Sequence, residues 1–319
     1  MNKKFDIAAI GELNVDLILN QIESEPEIGK EKFAKEMLLT LGSSTAIFAA
    51  NASALGSKVC FVGMIGHDAF GSLVRSSLEE KGVGTDYLIE NKNVATGATI
   101  VMNYGEDRAN LTYQGAMDVM GFDDIAPEVF DNARHVHLSS LFMQSALLAD
   151  IDRVLLSAAQ KGVTVSLDTQ WDPAEKWELN YREVLPQVTL FMPNEKELMA
   201  LTRRSDVESA IAEVLPFLGK AMVVKCGSRG SLLVTKEGKQ SMLPAFLNRN
   251  VVDAIGAGDS FNSGFISAFV AGRPLEECQL IGNLTGAINT TAAGGTGAFT
   301  SIDEIRAKAE SRFGLKLNL

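Results

Sequence analysis

The chain has 319 residues, 46% of them hydrophobic and 22% charged, an ordinary composition for a globular protein with ample length for a large core. Its 29 Lys and Arg against 40 Asp and Glu give a net charge of −11 with no basic stripe, which argues against a nucleic-acid partner. A small phosphorylated substrate is not excluded, because backbone dipoles, a lysine and a metal ion can reverse the field inside one cleft.

Lys3 and Lys4 precede an apolar stretch, but Asp6, Glu12 and Asp16 interrupt it, so it reads as neither a signal peptide nor a membrane span. Phe5 to Ile10 is predicted as a buried strand. The loop after it, Gly11 to Asp16, brings polar groups to the strand's C-terminal end, where open α/β sheets bind ligands. Asp16 suits two roles: accepting hydrogen bonds from adjacent hydroxyls of a polyol, or serving as a turn residue before Leu17. Residues 20–41 lack the pattern of a crossover helix and predict an excursion of one or two strands. Gly42-Ser43-Ser44 opens a helix to Leu55, capped by Ser43 or Ser44 and closed by Gly56. Strand Val59 to Val62 leads into Gly63-x-x-Gly66-x-Asp68-x-x-Gly71, which reads as turn and cap chemistry for a helix ending at Gly82. Two β-type runs, Ala98 to Tyr104 and Ala109 to Tyr113, flank Gly105-Glu106-Asp107 and predict a hairpin. Together with residues 20–41 it would make a small separate sheet, either a lid that keeps water from a phosphoryl donor or a dimer contact.

Alternation of strand and helix resumes with strand His135 to Leu138, helix Ala146 to Lys161 and strands Thr164 to Leu167 and Leu190 to Met192. His135 and His137 share a strand face, but no third ligand is near in sequence, so they read as structural. Asn194 and Glu197 fit a capping box, and the same pair at a strand's end could hold Mg²⁺ through waters. Strand Ala221 to Lys225 runs into Gly227-Ser228-Arg229-Gly230 and strand Ser231 to Val234, a glycine turn suited to the flat face or phosphates of a nucleotide. Ser241 to Pro244 follows. Helices are expected up to Gly272, from Pro274 to about Ala293, and from Ser301. The alternation implies a doubly wound, mainly parallel sheet flanked by helices. Cys60, Cys226 and Cys278 are odd in number and far apart, as buried reduced thiols of a cytosolic protein would be.

The chemistry concentrates in residues 251–265. An apolar run ends in Asp253, Gly256-Ala257-Gly258 opens a helix, and Asp259 lies in its first turn. Both glycines are free to take left-handed angles and to aim backbone N–H groups outward at the positive end of the helix dipole, which suits a phosphoryl group. Asp259, its ionised form favoured by the dipole, is placed to take a proton from an attacking hydroxyl. The alternative is a tight turn whose acid merely complements the dipole. A dinucleotide fingerprint is rejected because Asn262 occupies its sixth position and no acid-ended strand follows, and no P-loop motif occurs.

Taken together, these motifs resemble the ribokinase-like (PfkB) sugar kinase family over nearly the whole chain, in order and in spacing: Gly11 to Asp16, Gly42 with its helix, the Gly63 to Gly71 pattern, Thr96-Gly97, Asn194-x-x-Glu197, Gly227-x-x-Gly230 and Asp253 to Asp259. The resemblance implies one domain over residues 1–319, with a lid of about 17–41 and 96–113, and ATP-dependent phosphorylation of a hydroxymethyl group. It makes Asp259 the catalytic base and Gly256, Ala257 and Gly258 the anion hole. It gives the acceptor to Asp16 with the Gly42-Ser43 segment; Asn14 beside them and Arg108, a lid cation that could offset an acidic Asp172, are further candidate acceptor contacts. Asn194 and Glu197 become the Mg²⁺ and phosphate pair, Lys225, Gly227, Gly230 and Asn283 nucleotide contacts, and Asp253 a monovalent-cation (K⁺) site. Homodimers through the lid occur in some members.

This sequence departs from the family pattern in several places. The usual Gly-Gly is Gly42-Ser43, a common asparagine is Ile47, and Asp253 is followed by Ala254. The usual Asp-x-Asn-x-Arg is Asp168-Thr169-Gln170-Trp171-Asp172. If Asp172 faces the site, it favours a neutral sugar over a sugar acid. A nucleoside kinase of the same fold, with Tyr104, Tyr113 or Trp171 stacking a base, and a non-catalytic sugar-binding protein are the competing readings.

Overall fold

The computed structural model describes residues 3–104 and 107–317, and among them thirteen strands form two sheets. The strands are β1 (Phe5–Ile10), β2 (Asn14–Asn20), β3 (Glu36–Leu41), β4 (Val59–Gly66), β5 (Gly84–Asn91), β6 (Gly97–Tyr104) and β7 (Asp107–Tyr113), then β8 (Ala133–Ser139), β9 (Thr164–Asp168), β10 (Leu190–Phe191), β11 (Ala221–Lys225), β12 (Ser231–Thr235) and β13 (Gln240–Leu243). The large sheet has the order β13-β12-β11-β10-β9-β8-β1-β4-β5, parallel except where β12 pairs with β11 and β13. The small sheet has the order β3-β2-β6-β7. No helix among the described residues is long and apolar enough to cross a membrane.

Strands buried on both faces explain the layering. Along β1, Ala8 and Ile10 face one core while Ile7 and Ala9 face the other, the two-residue period of a strand with helices on either side. The helices Ser44–Ala54, Ala257–Val270 and Leu275–Asn289 cover the Ile7 face. Ile151–Gln160, Glu195–Thr202 and Val207–Val214 cover the other. Close packing of the Ala257–Val270 helix on Leu275–Asn289 depends on Gly264, where an added Cβ would run into the Thr285 side chain.

Several expectations are corrected. Asn14 and Asp16 lie on β2 of the small sheet rather than on a loop, because Val15 between them is fully buried and β2 is laddered to β6 and β3 from Asn14 onward. The small sheet therefore begins at residue 14, not 17. β5 was not expected: it is a half-buried edge strand whose polar residues obscure its alternation. The predicted 146–161 helix is two helices that break at Asp150, and the helix after Pro274 stops at Asn289. Of the predicted hairpin turn, Gly105 and Glu106 lie outside the described residues. The two strands flanking it pair in register from Ala98↔Tyr113 to Tyr104↔Asp107. His135 and His137 do share a face, and both ring systems bond to the Ser166 hydroxyl at 2.7 Å.

Replacing Gly264 with Val should overpack this helix pair and lower stability by about 2 kcal/mol, within the range for extra methylenes in a tight core. A denaturant midpoint unchanged from the parent would overturn the packing argument.

Candidate active site

In the large sheet the strand order reverses between β1 and β8, the crevice where open α/β sheets place ligands. Polar side chains converge there from strand ends. Glu12 follows β1, Ser139 ends β8 and Ser140 follows it, Asp168 ends β9 with Gln170 in the loop after it, Asn194 follows β10, and Lys225 ends β11. Over this edge comes the N-terminus of the Ala257–Val270 helix.

That N-terminus is held from two sides. Gly256 has φ 73, in the left-handed region, and an added Cβ would meet Gly295 and Ile47. Asn51 donates to Ser260 Oγ and to the Gly295 carbonyl, both at 2.9 Å. Ser260 Oγ donates to Asn289 Oδ1, whose amide returns to the Ile255 carbonyl at 2.6 Å. Asp253 accepts from the N–H groups of Ile255 and Gly294 at 2.9 Å, so its carboxylate fastens one edge of the loop. Gly258 departs from expectation: it is helical, not left-handed, and Lys225 lies beside it, its Nζ 3.7 Å from where a Cβ would stand, an ordinary contact that does not itself demand glycine. The first-turn amides and the Lys225 ammonium thus make one electropositive end.

Asp259 sits in this turn, 6% exposed. Burial, then the charge of Asp168, pushes its carboxyl up to about 8, with Glu12 and Glu197 adding and Lys225 opposing. The expectation that the dipole favours the ionised form is thereby reversed in the free protein, because desolvation by a closed pocket outweighs a half-charge at a helix end. Asp168 is fully buried. It accepts from Lys225 Nζ, from Asn262 Nδ2, and from the backbone and side chain of Gln170 at 3.2 Å. Gln170 Nε2 also reaches Asp259 Oδ1 at 2.8 Å. Burial works against the Lys225 ammonium, but Asp168 and Glu197 outweigh it and hold its pKa above the ordinary value. Asn194 and Glu197 form the expected capping box: Asn194 Oδ1 accepts from Glu197 N at 2.9 Å, and Glu197 accepts from Asn194 N at 2.8 Å and Nδ2 at 2.6 Å. Burial, then Asp168, raises Glu197 to about 7.

Across the crevice, β2 presents Asn14 and Asp16, whose side chains bond at 2.9 Å, and an added Cβ on Gly42 would strike both. Burial raises Asp16 to about 6, opposed by the Asn14 hydrogen bond and by the charge of Arg108 on β7. Ser43 caps its helix at φ 71, accepts from Ala46 N at 2.9 Å and donates to the Glu12 carbonyl at 2.7 Å. Glu12 itself is buried, bonded to the Thr45 hydroxyl, and raised by burial. The β11–β12 turn has Gly227 at φ 57 and Gly230 at φ 106. Asn283 donates its amide to the carbonyls of Leu243 and Pro244, at 3.2 and 3.3 Å. Asp172 does not face the crevice. Its carboxylate accepts from the N–H groups of Ala174, Lys176 and Trp177 at 2.9, 2.8 and 2.6 Å, so its charge is consumed inside its own loop rather than turned to the crevice. The sequence reading missed Glu12, Asp168, Gln170 and Asn262 as parts of this cluster. Only the departure from Asp-x-Asn-x-Arg pointed toward two of them.

Comparison with known proteins agrees with this geometry. Residues 4–301 match the pfkB family carbohydrate kinase. The ATP-dependent ribose-1-phosphate kinase of Halopiger xanaduensis is 30% identical over 310 residues, 96% of this chain and 99% of that one. The solved structure of Arabidopsis thaliana ribokinase complexed with ribose and ATP superposes at TM-score 0.83 with 26% identity, over 97% of this chain and 99% of that one. An E. coli protein solved in complex with ATP and Mg²⁺ shares the fold at TM-score 0.80 and 20% identity, over 95% and 98% of the two chains. The match across residues 4–301, carried by a fold shared end to end, shows that the chain belongs to the pfkB family of carbohydrate kinases.

Proposed function

We propose that this protein transfers the γ-phosphoryl group of MgATP to a hydroxymethyl group of a small neutral sugar, ribose- or fructose-like. One observation carries the reading: a single buried carboxylate, Asp259, lies in the first turn of a helix whose N-terminus is left open by Gly256 and flanked by Lys225. Relatives named ribokinase support a ribose-like acceptor.

Each group has a task in this reading. Asp16, Asn14 and the Gly42-Ser43 segment bind the acceptor's hydroxyls, with Arg108 balancing the Asp16 charge. A neutral polyol suits that carboxylate better than an acid does. The attacking hydroxyl gives its proton to Asp259 as its oxygen bonds to the γ-phosphorus and the bond to the β-phosphate oxygen breaks, releasing ADP. The Gly258 amide and the Lys225 ammonium receive the charge on the transferring group, joined by the Ala257 amide once it leaves the Ala254 carbonyl that it meets at 3.2 Å. Gly227 and Gly230 shape the turn on which the nucleotide rests. Mg²⁺ neutralises charge on the β- and γ-phosphates when bound. Asn194 and Glu197 fit such an ion through water: both Glu197 oxygens already accept from Asn194, and among the described residues no three His, Cys, Asp or Glu side chains converge on a metal position. The β3-β2-β6-β7 sheet, carrying Asp16 and Arg108 together, serves as the lid of a single domain, excluding water once the acceptor is held. The three cysteines are free and buried, in keeping with a cytoplasmic location.

Acceptor-dependent ADP release should appear with MgATP across a panel of sugars, sugar phosphates, sugar acids and nucleosides. Strongest turnover with a nucleoside would move the assignment to a nucleoside kinase, and none with any acceptor would favour a binding protein. Asp259→Asn should lower kcat by about 10²-fold or more, as loss of a general base does. Because Asp259 must be ionised and is raised to about 8, kcat/KM of the parent should climb through neutral pH and level off near or above 8. A flat profile between pH 6 and 8 would contradict this.

The same burial predicts a stability effect of definite sign. Asp259 is held at about 8 in the folded protein against an ordinary 3.8, so between those values the unfolded chain has lost a proton that the native state retains. Stability therefore falls as pH rises across that window. Asp259→Asn removes the penalty and should stabilise the unliganded protein by about 2 kcal/mol at pH 8, with little gain at pH 4. Thermal melts at the two pH values check it, and an equal or opposite shift would refute the buried-charge argument.

A further inference from the structure

Gln170 stands where the family pattern has an asparagine, and its side chain does something specific. Its Nε2 lies 2.8 Å from Asp259 Oδ1 and 3.2 Å from Asp168 Oδ2, while its backbone N–H donates to Asp168 Oδ1 at 3.2 Å. An amide NH₂ has two hydrogens, so one nitrogen can serve both carboxylates, and its carbonyl oxygen must point away from them. Asp168 is in turn pinned by Lys225 from β11 and by Asn262 from the helix that carries Asp259. The amide is thus aimed by a partner fixed from two other elements. The residue also holds φ 58, a left-handed conformation disfavoured for any side chain with a Cβ. Glycine would relieve that strain but would supply no donor.

We propose that Gln170 is a positioning residue for the phosphoryl-transfer base: by occupying Oδ1 of Asp259 it leaves Oδ2 as the oxygen that meets the acceptor hydroxyl, and by standing between Asp168 and Asp259 it lets two carboxylates share one dry pocket. The inference rests on the assignment of Asp259 as the base. Its consequence for pH follows from the groups around Asp259. Asp168 at the end of β9, Glu12 after β1 and Glu197 on the Glu195–Thr202 helix repel its ionised form, and Lys225 at the end of β11 attracts it. The Gln170 donor favours that form too, so its loss moves the acidic limb of the profile to higher pH.

The test compares Gln170→Met, which keeps length and bulk without donors, with Gln170→Gly, which relieves the backbone, and Gln170→Glu, which adds a third carboxylate. For Gln170→Met kcat should fall about 10- to 100-fold, the cost of a slightly misplaced group, with KM for sugar and MgATP within about 3-fold of the parent. The acidic limb should move up in pH, and further still in Gln170→Glu. Gln170→Gly should lose as much kcat while its melting temperature holds or rises. Parental kcat and an unmoved limb in Gln170→Met, with Asp259→Asn inactive in the same assay, would overturn the positioning role alone. Activity that follows melting temperature and returns in Gln170→Gly would make the residue merely structural. A fully active Asp259→Asn would remove the base assignment and this inference with it.

Discussion

Two carboxylates, Asp168 and Asp259, share a pocket from which water is largely excluded, and much of the site is arranged around that constraint. A buried like-charged pair is tolerable only with compensation. Here Lys225 supplies a full positive charge, Asn262 and Gln170 supply neutral donors, and the helix end supplies a partial charge. Even so the balance is incomplete, and Asp259 retains its proton well above the ordinary carboxylate range. That imbalance is useful to a phosphotransferase. In the proposed role, a base of low basicity would take a hydroxyl proton poorly, whereas one raised to about 8 takes it more readily once ionised. In the proposed reaction the nucleotide adds more negative charge, which Lys225 and the helix N-terminus would offset against Asp168, Glu12 and Glu197.

The supporting frame is largely polar, and its amide and hydroxyl donors are paired, although Asn51 Oδ1 is buried without a partner. Asn51, Ser260 and Asn289 form a buried chain of hydrogen bonds linking three helices to the loop before Asp259, fixing where the amides point. A network of this kind is valuable because each member is expensive to leave unpaired, so the loop has few alternative positions. The acceptor side is built differently. Asn14 and Asp16 ride on β2, which the buried Val15 anchors to the core at its start, in a sheet separate from the large one that exposes Met37, Leu38 and Leu111. A rigid phosphoryl end and a less embedded acceptor end suit a reaction that must open to load a sugar and close to exclude water.

Two departures from the family pattern find physical accounts. Ser43 replaces a glycine at a left-handed φ of 71, and its hydroxyl both caps the helix and ties it to the Glu12 carbonyl, offsetting strain that glycine would not have. Asp172 replaces an arginine, but with three backbone amides around its carboxylate it organises a loop in which Glu175 and Trp177 also adopt positive φ. Ile47, where an asparagine is common, packs instead against Gly256 and Gly295, so the turn before Asp259 has an apolar neighbour there.

The sequence by itself determined what depends on local chemistry. Apolar runs alternating with helical periods announced the parallel sheet, the Asn194–Glu197 spacing announced a capping box, and Gly256 to Asp259 announced a glycine-opened helix start with an acid in its first turn. These are legible because neighbours along the chain create them. Tertiary structure decided everything that depends on charge and contact across strands. It moved Asn14 and Asp16 from a loop onto β2, where pairing with distant β6 fixes them. It turned Asp172 inward, gave Asn283's amide to two carbonyls, and reversed the expected ionisation of Asp259. It also joined Asp168, Gln170, Lys225 and Asn262 to Asp259 from β9, the loop after it, β11 and the Asp259 helix itself. Desolvation and Coulomb interactions act through space, so a pKa and a hydrogen-bond partner are set by whichever side chains the fold brings within a few ångströms, and no spacing along the chain records that.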